Sequence, residues 1–191
     1  KLTNTKYYAM VMFDGDSMGK WLNGALINDN SELKEFHKEL SANLGKYAKR
    51  VNEILVAPKG KVVYAGGEDF LGFINLNYLF EVLSTMYIEF DKIVNQPLNK
   101  FKTGNDITFS AGILISHYKT PFNEVLNRLR VLEKEAKALD NNKNAFAIAV
   151  TKHSGEINKS IFKWGSVSEL TSNYLAFGEV VKDLHNERFS N

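Results

Sequence analysis

Two pairs of carboxylates stand directly after apolar runs. Asp14 and Asp16 follow Lys6 to Phe13, while Glu68 and Asp69 separate the β-rich runs Val62 to Ala65 and Phe70 to Leu76. If those runs are neighbouring strands the carboxylates converge, and like charges brought together repel unless a cation neutralises them. Hard oxygen donors, with no cysteine in the chain and no histidine at ligand spacing, suit Mg²⁺ or Mn²⁺. Two such ions about 4 Å apart activate an attacking hydroxyl and stabilise the leaving oxygen of an in-line phosphoryl displacement. Nucleotidyl transfer on Asp14, Glu68 and Asp69 is the chemistry expected.

The residues around them fit that reading. Gly66-Gly67 permits a tight hairpin and lets a nucleotide approach its backbone. Gly15 and Gly19 offer the same freedom. The stretch Asp14 to Gly19, including Ser17 and Met18, joins a strand end to a helix start, where unpaired N–H groups would face a triphosphate and Lys20 is near enough to assist. Asp16 has a second reading, as a cap of that helix. Ser110 is placed to face the nucleotide. Taken singly, Asp-Gly-Asp and Gly-Gly-Glu-Asp are ordinary turns with solvated charges; both together, each beside a hydrophobic strand, point to a site. The histidines His37, His117, His153 and His185 have no partner at ligand spacing and are expected on the surface.

The elements that must position these groups follow from periodicity. Lys6 to Phe13 is a strand. Leu33, Phe36, Leu40, Leu44, Tyr47, Val51 and Leu55 recur every three or four positions, which predicts an amphipathic helix from Ser31, its N-cap, to Leu55. A hairpin with an acidic tip comes next, then a helix over Tyr78 to Val94 ended near Pro97, and a strand over Ile107 to Ser116. A third helix opens at Thr120-Pro121, with a capping hydroxyl and a proline at its first position. Ala145 to Val150 closes the order as a strand. The fold class is α+β, ferredoxin-like, with a βαββαβ core and its helices on one face of the sheet. Residues 1–165 form this domain and 166–191 a C-terminal helical extension. Tyr7, Tyr8, Phe70, Phe73 and Phe109 are expected in the strand core.

Composition narrows the class. With 191 residues, of which 44% are hydrophobic, the chain suffices for one core. Its 24 basic and 22 acidic residues form no basic block, so charge alone does not argue for nucleic-acid binding. Without cysteine there is neither a disulfide framework nor a thiolate nucleophile, and a reducing cytoplasm is expected. No apolar run reaches the roughly 18 residues of a membrane helix, and no membrane partner is expected. The chain opens on Lys1 with no visible signal peptide, which reads as a trimmed or excised piece.

The run Phe13-Asp14-Gly15-Asp16-Ser17-Met18-Gly19-Lys20, followed by Tyr64-Ala65-Gly66-Gly67-Glu68-Asp69-Phe70, resembles the palm of the large polymerase/cyclase subunit of type III CRISPR effector complexes, especially the Cmr type. The likeness covers roughly Tyr7 to Glu156 and extends, more distantly, to GGDEF-type diguanylate cyclases. It implies a cyclic oligoadenylate synthase in antiviral defence, in which the 3′-hydroxyl of one ATP attacks the α-phosphate of another and pyrophosphate leaves. Asp14, Glu68 and Asp69 would hold the two Mg²⁺ or Mn²⁺ ions, Asp14 to Met18 would line the triphosphate, and Lys137, with Lys143 as a weaker candidate, would reach its phosphates. Glu68 stands where the family usually has Asp, one methylene longer with the same charge. Some relatives join ATP to S-adenosylmethionine and GGDEF cyclases use GTP, and the metal site does not choose between them. A reading of another class is a catalytically silent assembly module of a ribonucleoprotein. The implied partners are ATP, a second palm or a homodimer, and the other subunits and guide RNA of an effector complex, since the nuclease and helical domains of that subunit have no room here.

Overall fold

In the computed structural model, residues 6–151 and 157–164 are described, and the helix expected over 166–191 lies outside them. The continuous apolar run from Tyr7 to Phe13 forms β1, Tyr7–Gly15, which runs through Asp14 and ends two residues later than its hydrophobic pattern. A short helix α1, Met18–Leu22, leads to α2, Leu33–Ile54, whose buried face carries Phe36, Leu40, Leu44, Tyr47 and Val51. The hairpin follows as β2, Gly60–Gly66, and β3, Asp69–Ile74. After α3, Leu79–Phe90, come β4, Phe109–His117, α4, Phe122–Lys137, and β5, Ala145–Thr151. A further strand, β6, Ile157–Lys163, was not anticipated from the sequence.

The six strands form one sheet in the order β2-β3-β1-β4-β5-β6. All neighbours are antiparallel except β4 and β5, which are parallel across α4. The first four strands with α2 and α3 are the expected βαββαβ palm core, and those two helices share a face. There Ala9, Val11 and Phe13 meet Phe36, Leu83 and Phe90 in one buried cluster. The third long helix departs from the one-face expectation. Met10 and Leu114 point to the other side of the sheet, where Val125, Leu129, Leu132 and Ala136 of α4 cover them. Because successive strand residues point to opposite faces, β1 and β4 are apolar at both parities and need covering on both.

Helix α4 lies close to the sheet because the residues beneath it are small. Ala145, Ala147 and Ala149 line its floor. At Gly112 an added Cβ would sit 2.6 Å from the Leu129 carbonyl oxygen and 2.8 Å from the Glu133 nitrogen.

Several helix ends differ from expectation. Asp29, and not Ser31, supplies the cap before α2: its Oδ1 accepts the Ser31 N–H at 2.8 Å, and a 3₁₀ turn, Asn30–Glu32, precedes the helix. Pro97 does not stop the chain after α3, which continues as a π turn, Asp91–Asn95, into a 3₁₀ helix, Gln96–Phe101. A proline near the start of a helical segment loses no bond that the segment needs. Pro121 sits just before α4, which has no side-chain cap. Among the expected strand-core aromatics Phe70 and Phe109 are buried, whereas Tyr7, Tyr8 and Phe73 are half-buried.

Gly112→Val should push α4 away from β4, because the obstructing atoms are backbone and cannot swing aside. We expect a loss of about 1–3 kcal/mol in urea unfolding. In Gly45→Ala, where an added Cβ meets nothing within 4 Å on an exposed turn of α2, we expect a gain of about 0.5–1 kcal/mol.

Candidate active site

Phe13 pairs with Phe70, so Asp14 and Asp69 stand across from each other one step further along β1 and β3. Alternation places both on the α4 face, since Phe13 and Phe70 occupy the opposite core. Asp14 is half-buried and Asp69 exposed. The hairpin tip turns at Gly67, whose φ of +59° is a left-handed conformation that glycine adopts without strain. Glu68 leaves this tip towards the other side. Its stem lies over Gly15, where an added Cβ would come within 2.8 Å of the Glu68 Cβ and 2.7 Å of the Met18 Cγ. Gly15 thus lets Glu68 and Met18 close over the end of β1.

Beyond Glu68 opens a cavity of about 410 Å³ between α1, α2 and the hairpin tip. Met18, Leu40 and Leu44 give it apolar walls, while His37, Ser41 and Gly67 supply polar and backbone edges. The His37 Nε2 lies 2.8 Å from the Leu22 carbonyl oxygen, and the ring links α2 to the end of α1. The sequence held a signal for this wall: His37, Ser41 and Gly45 recur at spacing four, a small and polar stripe along an otherwise amphipathic helix.

Lys137, in the last turn of α4, reaches the carboxylates. Its Nζ contacts Asp14 Oδ2 and lies 2.8 Å from Glu133 Oε1. Burial, with Lys143 nearby, draws the Lys137 ammonium down to about 8, still charged at neutral pH. Glu133 is buried, and its carboxyl is pushed up by that burial and by the charges of Asp16 and Asp69. The sequence does not single it out, because one Glu on an apolar helix face carries no motif.

Two expected nucleotide contacts prove to be internal. Asp16 is 3% exposed, and its Oδ2 accepts hydrogen bonds from Thr108 Oγ1 at 2.8 Å, Ser110 Oγ at 3.1 Å and the Asn144 N–H at 2.9 Å. Burial pushes its carboxyl above the usual range, and these bonds pull it back. Asp16 does not cap α1, whose N-cap is Ser17 in a left-handed conformation with no side-chain bond. Ser110 is fully buried, its hydroxyl donating to Asp16 and accepting from the Ala145 N–H at 3.3 Å. The pair ties the end of β1 to β4 and to the loop before β5. That loop carries Lys143 at φ 51° and Asn144 at φ 49°. Asn144 is further held by the Tyr87 hydroxyl, and its carbonyl accepts the Trp164 N–H at 3.0 Å. Gly19 and Lys20 are exposed at α1, and Gly66 ends β2 beneath the Tyr64 ring.

The donor chemistry suits hard divalent cations. Asp14 already holds a positive charge, and Asp69 and Glu68 flank the same strand end. Among the described residues no three acidic or imidazole groups are gathered into a ligand cluster. Mg²⁺ sites commonly use one or two carboxylates and complete their shell with water and substrate phosphates, so separate carboxylates around an open strand end fit such ions when a nucleotide supplies the remaining oxygens. No helix among the described residues is long and apolar enough to cross a membrane.

With this geometry in view, residues 7–147 match the family described as Cas10/Cmr2, second palm domain. The CRISPR system Cmr subunit Cmr2 of Pyrococcus furiosus is 31% identical over 182 residues, covering 83% of this chain and 20% of that protein. The chain thus spans about a fifth of the length of this curated relative. Among solved structures, the type III-B Cmr-beta complex in its apo state matches with a TM-score of 0.64 at 15% identity, over 96% of this chain and 31% of the other. The Csm1–Csm4 cassette in complex with one ATP matches with a TM-score of 0.54 at 19% identity, over 78% and 21%. The GGDEF domain of DgcB from Caulobacter crescentus in complex with c-di-GMP gives 0.50 at 14% identity, over 75% and 77%. These structural likenesses show a shared palm fold.

Asp16→Ala would leave two hydroxyls and the Asn144 N–H without their acceptor. We expect it to lower stability by about 2–4 kcal/mol in urea unfolding. Ser110→Ala removes one donor to the same carboxylate and should cost less, about 1 kcal/mol. Unchanged midpoints for both would show that this cluster does not pin the strand end.

Proposed function

The chain belongs to the Cas10/Cmr2 family, at its second palm domain, and from that premise we propose that it is a nucleotidyltransferase joining ATP molecules into a cyclic oligoadenylate. The observation that carries the reading is the placement of Asp14 and Asp69 at the neighbouring ends of β1 and β3, one step beyond the Phe13–Phe70 pair, with the Lys137 ammonium against Asp14 and a cavity beside the same tip. Asp14, Glu68 and Asp69 would hold two Mg²⁺ or Mn²⁺ ions, which activate the attacking hydroxyl and stabilise the leaving oxygen when bound.

The chain's own groups do the positioning. The cavity takes the base, its apolar walls stacking against the ring and its His37 and Ser41 edges offering hydrogen bonds. The turn from Gly15 to Lys20 lies between the cavity and the carboxylates, where a triphosphate would run past Ser17 and Met18. Lys137, a point charge on a flexible stem, would exchange Asp14 for a phosphate oxygen, with Lys143 further along the same edge. Asp16 and Ser110 hold the strand end from within. Attack of a 3′-hydroxyl on the α-phosphate of a second ATP forms one phosphodiester and releases one pyrophosphate.

The second nucleotide requires a facing surface, supplied by another palm or a second copy of this chain. The solved relatives are assemblies: Cmr-beta bound to cognate target RNA, and Csm1–Csm4 with ATP or cA4. By analogy, other effector subunits and a guide RNA are the partners we assign to the whole protein. Conjugation of ATP to S-adenosylmethionine and dinucleotide cyclisation would use the same carboxylates.

The test is pyrophosphate release from each nucleoside triphosphate with Mg²⁺ or Mn²⁺, with and without S-adenosylmethionine, in the full-length protein and its complex. ATP alone should suffice. Glu68→Ala with Asp69→Ala should lower the rate at least about a hundredfold, because metal stabilisation of transition-state charge is worth several kcal/mol. Its thermal stability without metal should stay within about 0.5 kcal/mol of the parent, since Asp69 is exposed and Glu68 only half-buried at the hairpin tip. A double variant that still releases pyrophosphate, and still gains the parent's stabilisation from metal and nucleotide, would sink the reading.

A further inference from the structure

We propose that Glu133 is a positioning residue for Lys137, giving the ammonium a second anchor on its own helix so that it can leave Asp14 for a nucleotide phosphate. The inference rests on the nucleotidyl-transfer reading above. Glu133 lies on the buried face of α4 among Val125, Leu129, Leu132 and Ala136. A leucine would pack there at no electrostatic cost, whereas a buried carboxylate is costly unless a partner offsets it. The partner is Lys137, one helical turn further on, 2.8 Å from Glu133 Oε1. Among the described residues Oε1 makes no hydrogen bond of good geometry, so the contact is one of charge.

Gly112 makes the arrangement possible, because only a residue without Cβ lets the backbone of α4 at Glu133 come this near β4. Lys137 thereby bridges two unlike carboxylates, the half-exposed Asp14 and the buried Glu133. With Asp14 as its sole anchor, the ammonium would neutralise the carboxylate that a metal ion needs and would compete with it. The second carboxylate removes that conflict. When Asp14 takes up a cation, Lys137 stays paired through Glu133 and points along the strand end towards phosphate. Lys143 and Lys134 also bear on Glu133, and Asp69 and Asp16 face it from the sheet. They set the surrounding field, while the direct contact is with Lys137.

The test compares the parent with Glu133→Gln, Glu133→Leu, Glu133→Asp, Lys137→Ala and the double variant Glu133→Gln with Lys137→Ala. Three readouts are taken on the full-length protein: Mn²⁺ binding without nucleotide, MgATP binding through a fluorescent analogue, and thermal stability. Glu133→Gln and Glu133→Leu should each weaken both binding steps about tenfold, the scale of one charge-assisted contact. Glu133→Leu should do so at unchanged or raised stability, which a purely structural role would not produce. Glu133→Asp should recover part of the loss. In the Lys137→Ala background Glu133→Gln should change either affinity less than about twofold, because the residue it positions is gone. A parent that binds Mn²⁺ and nucleotide, with additive losses in the double variant, overturns the Glu133 assignment alone. A parent that binds neither sinks the two-metal reading, and this inference with it.

Discussion

Strand β1 pairs with β3 on one side and with β4 on the other, and this double pairing sets where every group at the site can be. Strand side chains alternate, so Ala9, Val11 and Phe13 meet α2 and α3 while Met10 and Asp14 meet α4. A slip of one residue would exchange the two sets, placing Asp14 in an aromatic core and Phe13 at the carboxylates. The core opposes that slip. Phe13 lies 4.9 Å from Phe70 in a stacked arrangement and 4.4 Å from Phe109, and Phe109 in turn packs against Phe90 and Trp164. Apolar burial on one face thus aims the acidic residues on the other.

A second constraint is polar. Asp16 receives donors from β4 and from the loop before β5, so three segments meet at one carboxylate. A buried network of this kind is worth having only when its donors are satisfied, and it holds the segments in one arrangement. Tyr87 and Trp164 stack at 5.1 Å just below, and both reach Asn144. Through Asn144 the α3 face and the end of β6 support the loop that carries Lys143. Asp14 and Lys137 are thus mounted on a strand and a helix, with the loop of Lys143 tied to them, as groups that act on a phosphate must be held.

The palm fold alone does not assign a reaction. A structure holding c-di-GMP and another holding ATP both match this chain at low identity, so the shared feature is the scaffold and the chemistry belongs to its strand ends. Around those ends this chain places Glu68 across Gly15, the His37 and Ser41 edge of the cavity, and Glu133 beside Lys137.

The sequence by itself determined the first five strands, the three long helices and the acidic tips, because hydrophobic period and turn glycines are local properties of the chain. It also carried the family, since the two acidic motifs lie in unbroken runs. Tertiary structure alone decided which face each helix covers: α4 has the same amphipathic period as α2, and it lies on the far side of the sheet as the crossover between the parallel strands β4 and β5, over the small residues Gly112, Ala145, Ala147 and Ala149. The fates of Asp16 and Ser110 were likewise hidden, because their partners Thr108 and Asn144 include groups far along the chain whose approach no local pattern records. Strand β6 went unread, since Ile157–Lys163 mixes polar and apolar residues, and its pairing with β5 supplies the backbone bonds that its composition does not advertise. Glu133 became visible only when α4 was laid against β4, since the meaning of a buried carboxylate is its neighbour, and here that neighbour spans two elements, Lys137 on the helix and Asp14 on the strand.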